Sequence, residues 1–434
     1  MKKGKQKVSV FWFRRDLRLE DNTGLIAASK GGEPVLPIFI FDDNILDEIP
    51  SDDPRVGFIF DNLQVINNQL NKHDSALLCL KGNPLKIWSE LMDQYDISGV
   101  YSNKDYEPYA VKRDNSIEQI CEKKGVPFYQ FKDQVIFEKD EIVKDDRLPY
   151  TVYTPYKNKW RKHFNLEKHA PAASPINLNS FQKKSRAFPT KTEFGFKSAS
   201  ILVKPFQISQ LSDYEETRNF PAKDSTSYLS PHLRFGTVSV RYLIRTLFDN
   251  ETFINELIWR EFFMQILYHF PRVINQNFKV KYNAIKWRND PDEFEKWKNG
   301  QTGYPIVDAG MRELNATGYM HNRVRMVVAG FLCKHLLIDW RWGEAYFAER
   351  LLDYDLSANN GNWQWAAGTG CDAAPYFRVF NPTEQVKKFD AQLTYINKWV
   401  PELNTLEYPK PIVEHKLGRE RAISIYKEGL SLMQ

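Results

Sequence analysis

Hydrophobic and polar positions along the first 140 residues follow two periods in turn. The short apolar runs "VSVFWF", "PVLPIFIF", "SALLCL", "GVYSN" and "PFYQF" predict five strands. Several of them are continuously apolar, as in parallel strands buried on both faces. Between them, "RVGFIFDNLQVINNQLNKH" places Val56, Ile59, Phe60, Leu63, Ile66 and Leu70 on one helical stripe. "PLKIWSELMDQY" opens with Pro84 near a helix start, and "AVKRDNSIEQICEKKG" closes on a glycine stop. Strand, helix and strand in repetition predict a doubly wound parallel sheet. No G-x-G-x-x-G follows the first strand, which argues against an ordinary dinucleotide site there.

From about residue 140 to 200 the periodicity fades. "HAPAASPINLNSFQKKSRAFPTKTEFGF" is rich in Pro, Ser, Lys and Asn and reads as a long surface connection. Beyond 200 the spacing is helical to the end, in "SVRYLIRTLF", "TFINELIWREFFMQILYHF", "PIVDAGMRELNAT", "NRVRMVVAGFLCKHLLI" and "GEAYFAERLLD". The expected organisation is a Rossmann-like α/β domain over 1–138, a linker over 139–200 and a large all-α domain over 201–434, without internal repeats.

Composition changes the picture only in places. A chain of 434 residues is too long for one simple core, and two domains are the natural expectation. No apolar run approaches the roughly 20 residues that span a bilayer. The start, "MKKGKQKVSVFWF", reads as a first strand rather than a signal peptide. Cys79, Cys121, Cys333 and Cys371 lie far apart with no CxxC pair, which suggests free thiols in a reducing cytoplasm and argues against a zinc site. A net charge of +5 permits a polyanionic partner without requiring one. The tryptophans say more: eight of the 11 lie after residue 250, so aromatic surfaces dominate the second half.

Four stretches could carry chemistry. In "KDSTSYLSPHLRFG", Thr226, Ser227 and Ser230 bring hydroxyls to a helix start, which suits either plain capping or a phosphate. In "NELIWREFFMQ", Glu256, Trp259, Arg260 and Phe263 fall on one helical face, either as a surface ion pair beside an aromatic or as part of a site. In "GYMHNRVRMVVAG", Asn322, Arg323, Arg325 and Met326 lead into an apolar helix. Arg325 could find its carboxylate at Asp353 or Asp355, and a buried pair of that kind more often marks a site than a scaffold. His321 reads as structural. Finally, "LSANNGNWQWAAGTGCDAAPYF" reads as a loop holding Trp363 and Trp365 among small residues, a place where a backbone can close around something flat. Trp287 and Trp340, taken singly, read as core filling.

Taken together, "FWFRRDLRLEDN", "TSYLSPHLRFGTVS", "ELIWREFF", "TGYPIVDAGMREL", "MHNRVRM", "DLSANNGNWQWAAGTGCDAAPYFRVFNP" and "YPKPIVEHK" resemble the cryptochrome/photolyase family, most closely its class I members that repair cyclobutane pyrimidine dimers. The resemblance spans nearly the whole chain. It implies one FAD, folded into a U in the helical domain beside a flipped-out dimer. It assigns Tyr214, Thr226, Ser227, Leu229 and Ser230 to the cofactor's diphosphate side, with Phe253 and Arg260 also among the cofactor contacts. Arg325, Asp353 and Asp355 fall around the flavin ring and ribityl chain, and Asn359 faces flavin N5. Small residues such as Ala358, Gly361, Ala366 and Ala367 let the backbone close around the rings.

For the lesion, the resemblance implies that Trp259 and Trp365 form an aromatic wedge and that Glu256 holds the dimer edge, with Asn322 and Met326 lining the pocket. Glu256, Asn322, Met326 and Asn359 are the implied catalytic set. Arg218, Arg260, Arg323 and Arg378 grip phosphates of UV-damaged DNA, a salt-sensitive contact indifferent to sequence. Trp363, Trp340 and Trp287 pass electrons from the surface to a photoexcited flavin. Excited reduced FAD then lends an electron to the dimer, the ring splits and the electron returns. No metal is implied, and the expected form is a monomer acting in the cytoplasm on the nucleoid.

Two alternatives stand beside this expectation. A cryptochrome-type photoreceptor without repair activity fits less well, because Asn359 is neither acid nor thiol, the full set Glu256, Trp259, Met326 and Trp365 is present, and no long tail follows "YKEGLSLMQ". A (6-4) photolyase expects histidine where Met326 stands, and the single-strand-specific subgroup tends to lack Trp365. One departure concerns a second, antenna chromophore in the N-terminal domain. "DYEPYAVKRD" has Tyr109 and Ala110 where folate users tend to carry an acid, so a folate, a deazaflavin or an empty antenna site all stay open.

Overall fold

The computed structural model describes residues 5–171 and 173–433. The chain divides into two compact units. One comprises Met1–Glu141, Trp160–Pro205 and Leu229–Leu257; the other comprises Ile142–Lys159, Phe206–Tyr228 and Ile258–Gln434.

In the first unit all five predicted strands form: β1 (Lys7–Phe13), β2 (Val35–Asp42), β3 (Leu78–Gly82), β4 (Asp96–Asn103) and β5 (Phe128–Phe131). They pair in parallel in the order β3-β2-β1-β4-β5. The alternation of side chains along a strand explains why β1 is apolar throughout. Phe11 and Phe13 point into a core shared with Val56, Phe60 and Leu63. Val10 and Trp12 point the other way, to Trp88, Leu91 and Ile117. Both faces of the sheet are therefore covered, and each large side chain buried this way contributes about 1.5–3 kcal/mol before the cost of ordering it.

The helices Pro54–Asn71, Pro84–Gln94 and Pro108–Lys123 each begin with proline at a position where no intrahelical N–H is lost. Asp53 and Asn83 cap the first two, accepting from Arg55 N at 2.8 Å and Leu85 N at 3.0 Å. Of the predicted stripe on the first helix, Val56, Phe60, Leu63, Ile66 and Leu70 are buried and Ile59 is half-buried.

The stretch expected to run as a surface connection holds more structure than its composition suggests. Tyr153–His163 is a helix, and its Tyr153, Tyr156 and Trp160 are buried at i, i+3 and i+7. Three aromatics at that spacing form a stripe that the surrounding Lys, Asn and Pro residues conceal. Further along, Gln182 N donates to Val35 O, tying this segment to β2.

The second unit is built from helices, with no strand among its described residues. Pro305–Thr317, Asn322–Gly330, Trp340–Arg350 and Leu356–Ala367 surround a core of Trp297, Ile306, Met311, Val324, Trp340 and Trp363. Asn322–Gly330 continues into one wider π-helical turn, Phe331–His335. The presumed loop around Trp363 and Trp365 is in fact the 12-residue helix Leu356–Ala367. Asp355 caps its start, accepting from Ser357 N and Ala358 N at 3.1 Å each, and Gly368 ends it at φ +83°. Its polar and small residues hide a helix that tertiary contacts complete: Asn360 and Gln364 both donate to Val273 O at 3.0 Å.

Candidate functional site

Helical geometry first answers why two tryptophans stand two residues apart. At about 100° per residue, positions i and i+2 lie on opposite faces. Trp363 is 2% exposed and faces the core, whereas Trp365 is half-buried and faces outward. Trp363 lies close against Gly343, where any side chain would collide with it. Phe347 meets it edge-on at 4.9 Å and Trp297 at 6.2 Å. Trp340 is fully buried, and its indole N–H donates to Asn277 Oδ1 at 2.8 Å. Trp363 and Trp340 belong to one buried cluster, and Trp287 packs against it and against Tyr426.

On the same helix, Asn359 has an orientation that its neighbours decide. Its Nδ2 donates to Glu344 Oε1 at 2.9 Å and to Glu344 O at 3.1 Å. A backbone carbonyl can only accept, so the amide nitrogen must face Glu344 and Oδ1 is left pointing away as an acceptor. Burial raises the Glu344 carboxyl, while the bond from Asn359 opposes that rise. Sequence reading had no means of finding Glu344, because a lone Glu in "WGEAYF" carries no signal of its partner.

Arg325 resolves the choice between two carboxylates. Its guanidinium makes a two-pronged pair with Asp353, Nη1 to Oδ1 at 3.2 Å and Nη2 to Oδ2 at 2.9 Å, and its Nε donates to Met320 O at 2.8 Å. Asp355 instead does the capping described above. His321 proves structural: its Nδ1 accepts from Arg323 N at 3.1 Å and so starts Asn322–Gly330. Burial, with Arg325, Arg323 and Arg218 adding to it, pushes His321 down to about 4.

The arginines form a cluster of like charge. Burial lowers the pKa of Arg323, and the nearby positive charges of Arg218 and Arg378 lower it further. Arg323 Nη2 donates to Asn219 Oδ1 at 2.6 Å, and its guanidinium lies over Phe389 at 4.4 Å. Arg218 lies over the Tyr214 ring at 5.2 Å, and Arg378 is exposed over Phe380 at 5.4 Å. Three guanidiniums close enough to repel one another favour an anion between or beside them. Asn322 is exposed and Met326 half-buried one turn on, along the same side of their helix.

The helix Glu251–His269 carries the other aromatic candidate. Its part in the first unit holds buried Phe253 and half-buried Glu256; its part in the second holds half-buried Trp259 and Arg260. Trp259 stacks on Tyr153 and leans on Phe262 and Phe263. Phe263 in turn fills the space that Gly361 leaves open, so that glycine serves side-chain packing within the protein.

The hydroxyl-rich turn before Leu229 lies in the second unit. Tyr228 adopts φ +52°, which is costly for a residue with a Cβ. Ser227 O accepts from Gln207 N, and Tyr228 Oη donates to Asp224. Ser225 Oγ is buried with no hydrogen-bond partner. An orphaned hydroxyl beside Thr226 and Ser227 suits phosphate oxygens, so these residues fit a diphosphate group. Ser225 was not singled out in the sequence, where it is one of three adjacent hydroxyl residues. Leu229, buried, and Ser230, exposed, open the helix Leu229–Phe235 in the first unit. In that unit also, Tyr109 Oη donates to Asp42 Oδ2 at 2.6 Å, and Arg14 and Arg113 flank the Trp12 ring at 4.9 and 4.7 Å.

The chain is similar to known proteins along nearly its whole length. Residues 9–175 match the family described as DNA photolyase, and residues 253–407 match the FAD binding domain of DNA photolyase. A deoxyribodipyrimidine photo-lyase of Halobacterium salinarum is 38% identical over 97% of this chain and 99% of its own. Among solved structures, an archaeal photolyase from Sulfolobus tokodaii with two FAD molecules superimposes with a TM-score of 0.86 at 36% identity, covering 98% of this chain and 100% of that one. A bacterial class III photolyase from Agrobacterium tumefaciens gives 0.85 at 33% identity, covering 98% of each chain.

Proposed function

The chain belongs to the DNA photolyase family, and on that footing we propose how its own residues carry out light-driven cleavage of cyclobutane pyrimidine dimers in DNA. The chain is a flavoprotein lyase that takes FAD. When bound in its reduced form, FAD supplies the electron that opens the cyclobutane ring after a blue photon is absorbed. Everything else is a matter of holding, orienting and excluding.

The helix Leu356–Ala367 is the observation that carries the proposal. Asn359 near its start has its amide fixed by Glu344, Trp363 on its inner face packs into the tryptophan-rich core, and Trp365 on its other face is half-buried. One rigid element thereby joins the cofactor, the electron supply and the lesion. With FAD bound, Asn359 Oδ1 would accept from a flavin N–H and so favour a reduced ring protonated at N5. Ser225, Thr226, Ser227 and Tyr214 would hold the diphosphate side, and Arg325, paired with Asp353, would border the isoalloxazine. Leu229, Ser230, Phe253, Arg260 and Asp355 complete the proposed cofactor contacts.

Trp259 and Trp365 supply aromatic faces for a dimer that has lost its stacking neighbours, contributing about 1–3 kcal/mol per stacked base. Glu256, Asn322 and Met326 read the dimer edge. Arg218, Arg323 and Arg378, with Arg260, take the flanking phosphates, so affinity falls with salt. Trp287, Trp340 and Trp363 relay electrons inward from the surface to keep the cofactor reduced. Among the described residues no helix is long and apolar enough to cross a membrane. Damaged DNA is the partner, and the chain acts as a monomer in the cytoplasm.

The test is competition binding in the dark. Purified protein carrying the absorption bands of FAD should prefer an oligonucleotide with a single thymine dimer over its undamaged twin, and the preference should vanish in Trp259→Ala/Trp365→Ala. Equal affinity of the unsubstituted protein for the two strands overturns the proposal.

A further inference from the structure

Tyr153 stands in a segment whose composition marks it as a mere connection, yet it is 7% exposed and opens a helix. Its ring lies on the indole of Trp259, with centroids 3.6 Å apart and planes within 8° of parallel. Phe262 closes the edges of both rings, 5.9 Å from Tyr153 and 5.6 Å from Trp259, at 72° and 79°. Tyr153 itself is held from behind. Its backbone N–H donates to Asp372 Oδ2 at 3.1 Å, which ties the first turn of the helix Tyr153–His163 to the chain just beyond Leu356–Ala367.

The consequence concerns rotamers. Trp259 is half-buried, and an indole in that position ordinarily samples several orientations that binding must freeze. With its ring stacked on Tyr153 and Phe263 tilted 30° to it at 5.4 Å, the indole cannot turn without breaking an aromatic pair. Freezing an aromatic before the ligand arrives removes that ordering cost from the binding step.

We propose that Tyr153 is a positioning residue for Trp259, holding the indole in the orientation that meets a pyrimidine dimer and thereby sharpening the choice of damaged over undamaged DNA. This rests on the reading of Trp259 as a dimer-stacking residue. Undamaged DNA, which keeps its bases stacked, gains nothing from the indole's orientation, so the effect is confined to the dimer.

The experiment measures dissociation constants of the FAD-loaded protein in the dark for a labelled oligonucleotide with one thymine dimer and for its undamaged twin. Tyr153→Leu is expected to weaken dimer binding about 3- to 10-fold, the range of one aromatic pair, and to leave undamaged binding unchanged. Tyr153→Phe keeps the stack and should bind like the unsubstituted protein. In a Trp259→Ala background, Tyr153→Leu should cost nothing further, because the two residues act as one unit. An unchanged flavin spectrum and melting temperature certify the fold. Should Tyr153→Leu not fold, Tyr153→Met, flexible but of similar reach, carries the same expectations. Dimer affinity unaffected by Tyr153→Leu, equal loss on both DNAs, or the same loss on top of Trp259→Ala overturns the proposal. If Trp259→Ala alone leaves dimer preference intact, it is the reading of Trp259 that fails, and this proposal goes with it.

Discussion

Two glycines make the packing argument quantitative, because the same methyl group should have opposite effects at each. At Gly343 an added Cβ meets Trp363 Cζ3 at 2.5 Å and Leu332 Cδ2 at 2.6 Å, with Trp363 Cη2 closer still. Nothing there is the loose end of a flexible side chain, since Trp363 is wedged between Phe347 and Trp297. Overpacking of a filled core costs about 1–3 kcal/mol, while exchanging helical Gly for Ala returns up to about 1 kcal/mol. Contacts this short put the clash at the upper end of its range, so it wins by about 1–2 kcal/mol, or about 2–8 °C of melting temperature for a unit of roughly 200 residues. At Gly57, in the helix Pro54–Asn71, no heavy atom lies within 4 Å of the new Cβ. There only the helix term remains, and Gly57→Ala should raise the melting temperature by up to about 4 °C. Thermal unfolding followed by circular dichroism reads both signs. Gly343→Ala should also slow photoreduction of bound flavin, because the methyl pushes Trp363 from its place. A Gly343→Ala protein as stable as the parent would refute the packing described around Trp363, and a Gly57→Ala protein less stable than the parent would refute the open space described at Gly57.

Three further expectations concern charge and the relay. Trp363→Phe should impair light-driven reduction of oxidised flavin yet leave repair by chemically prereduced protein intact; equal loss of both contradicts its role. Arg378→Ala should weaken binding to damaged and undamaged DNA alike and reduce the slope of log K against log salt by about 1, measured by titration at several salt concentrations. His321 is held below its ordinary value, so its folded form loses stability as pH falls from about 6.5 through about 4, by up to about 3 kcal/mol. His321→Asn keeps a capping side chain without that titration and should flatten the fall in melting temperature across this window. A profile parallel to the parent's would remove His321 from the account.

Some of this was legible in the sequence, for definite reasons. The β strands announced themselves because two-sided burial makes apolar runs continuous, and Pro84 marked its helix because proline costs nothing at a first helical position. Arg325 needed a carboxylate, and Asp353 was one of only two plausible choices nearby. What stayed hidden depends on neighbours distant along the chain. Leu356–Ala367 looked like a loop because Ser, Asn and Gly are poor helix formers, and bonds such as those of Asn360 and Gln364 to Val273 O offset that. Glu344 and Ser225 gained meaning from Asn359 and from an unpartnered hydroxyl, neither of which shows in one dimension. Tyr153 was masked by the lysines and proline around it, although its i, i+3, i+7 relation to Tyr156 and Trp160 was there to be counted.

The central claim is that this polypeptide places a reduced flavin so that light splits a dimer turned out of DNA. The direct measurement is a single-turnover one: prereduced protein in excess over an oligonucleotide carrying one thymine dimer, given calibrated blue flashes, with intact thymines counted by chromatography after each. The account predicts stepwise loss of dimer with dose, none in the dark, and none at any dose with protein stripped of flavin. Dimer that survives saturating flashes while bound to the flavin-loaded protein would contradict it.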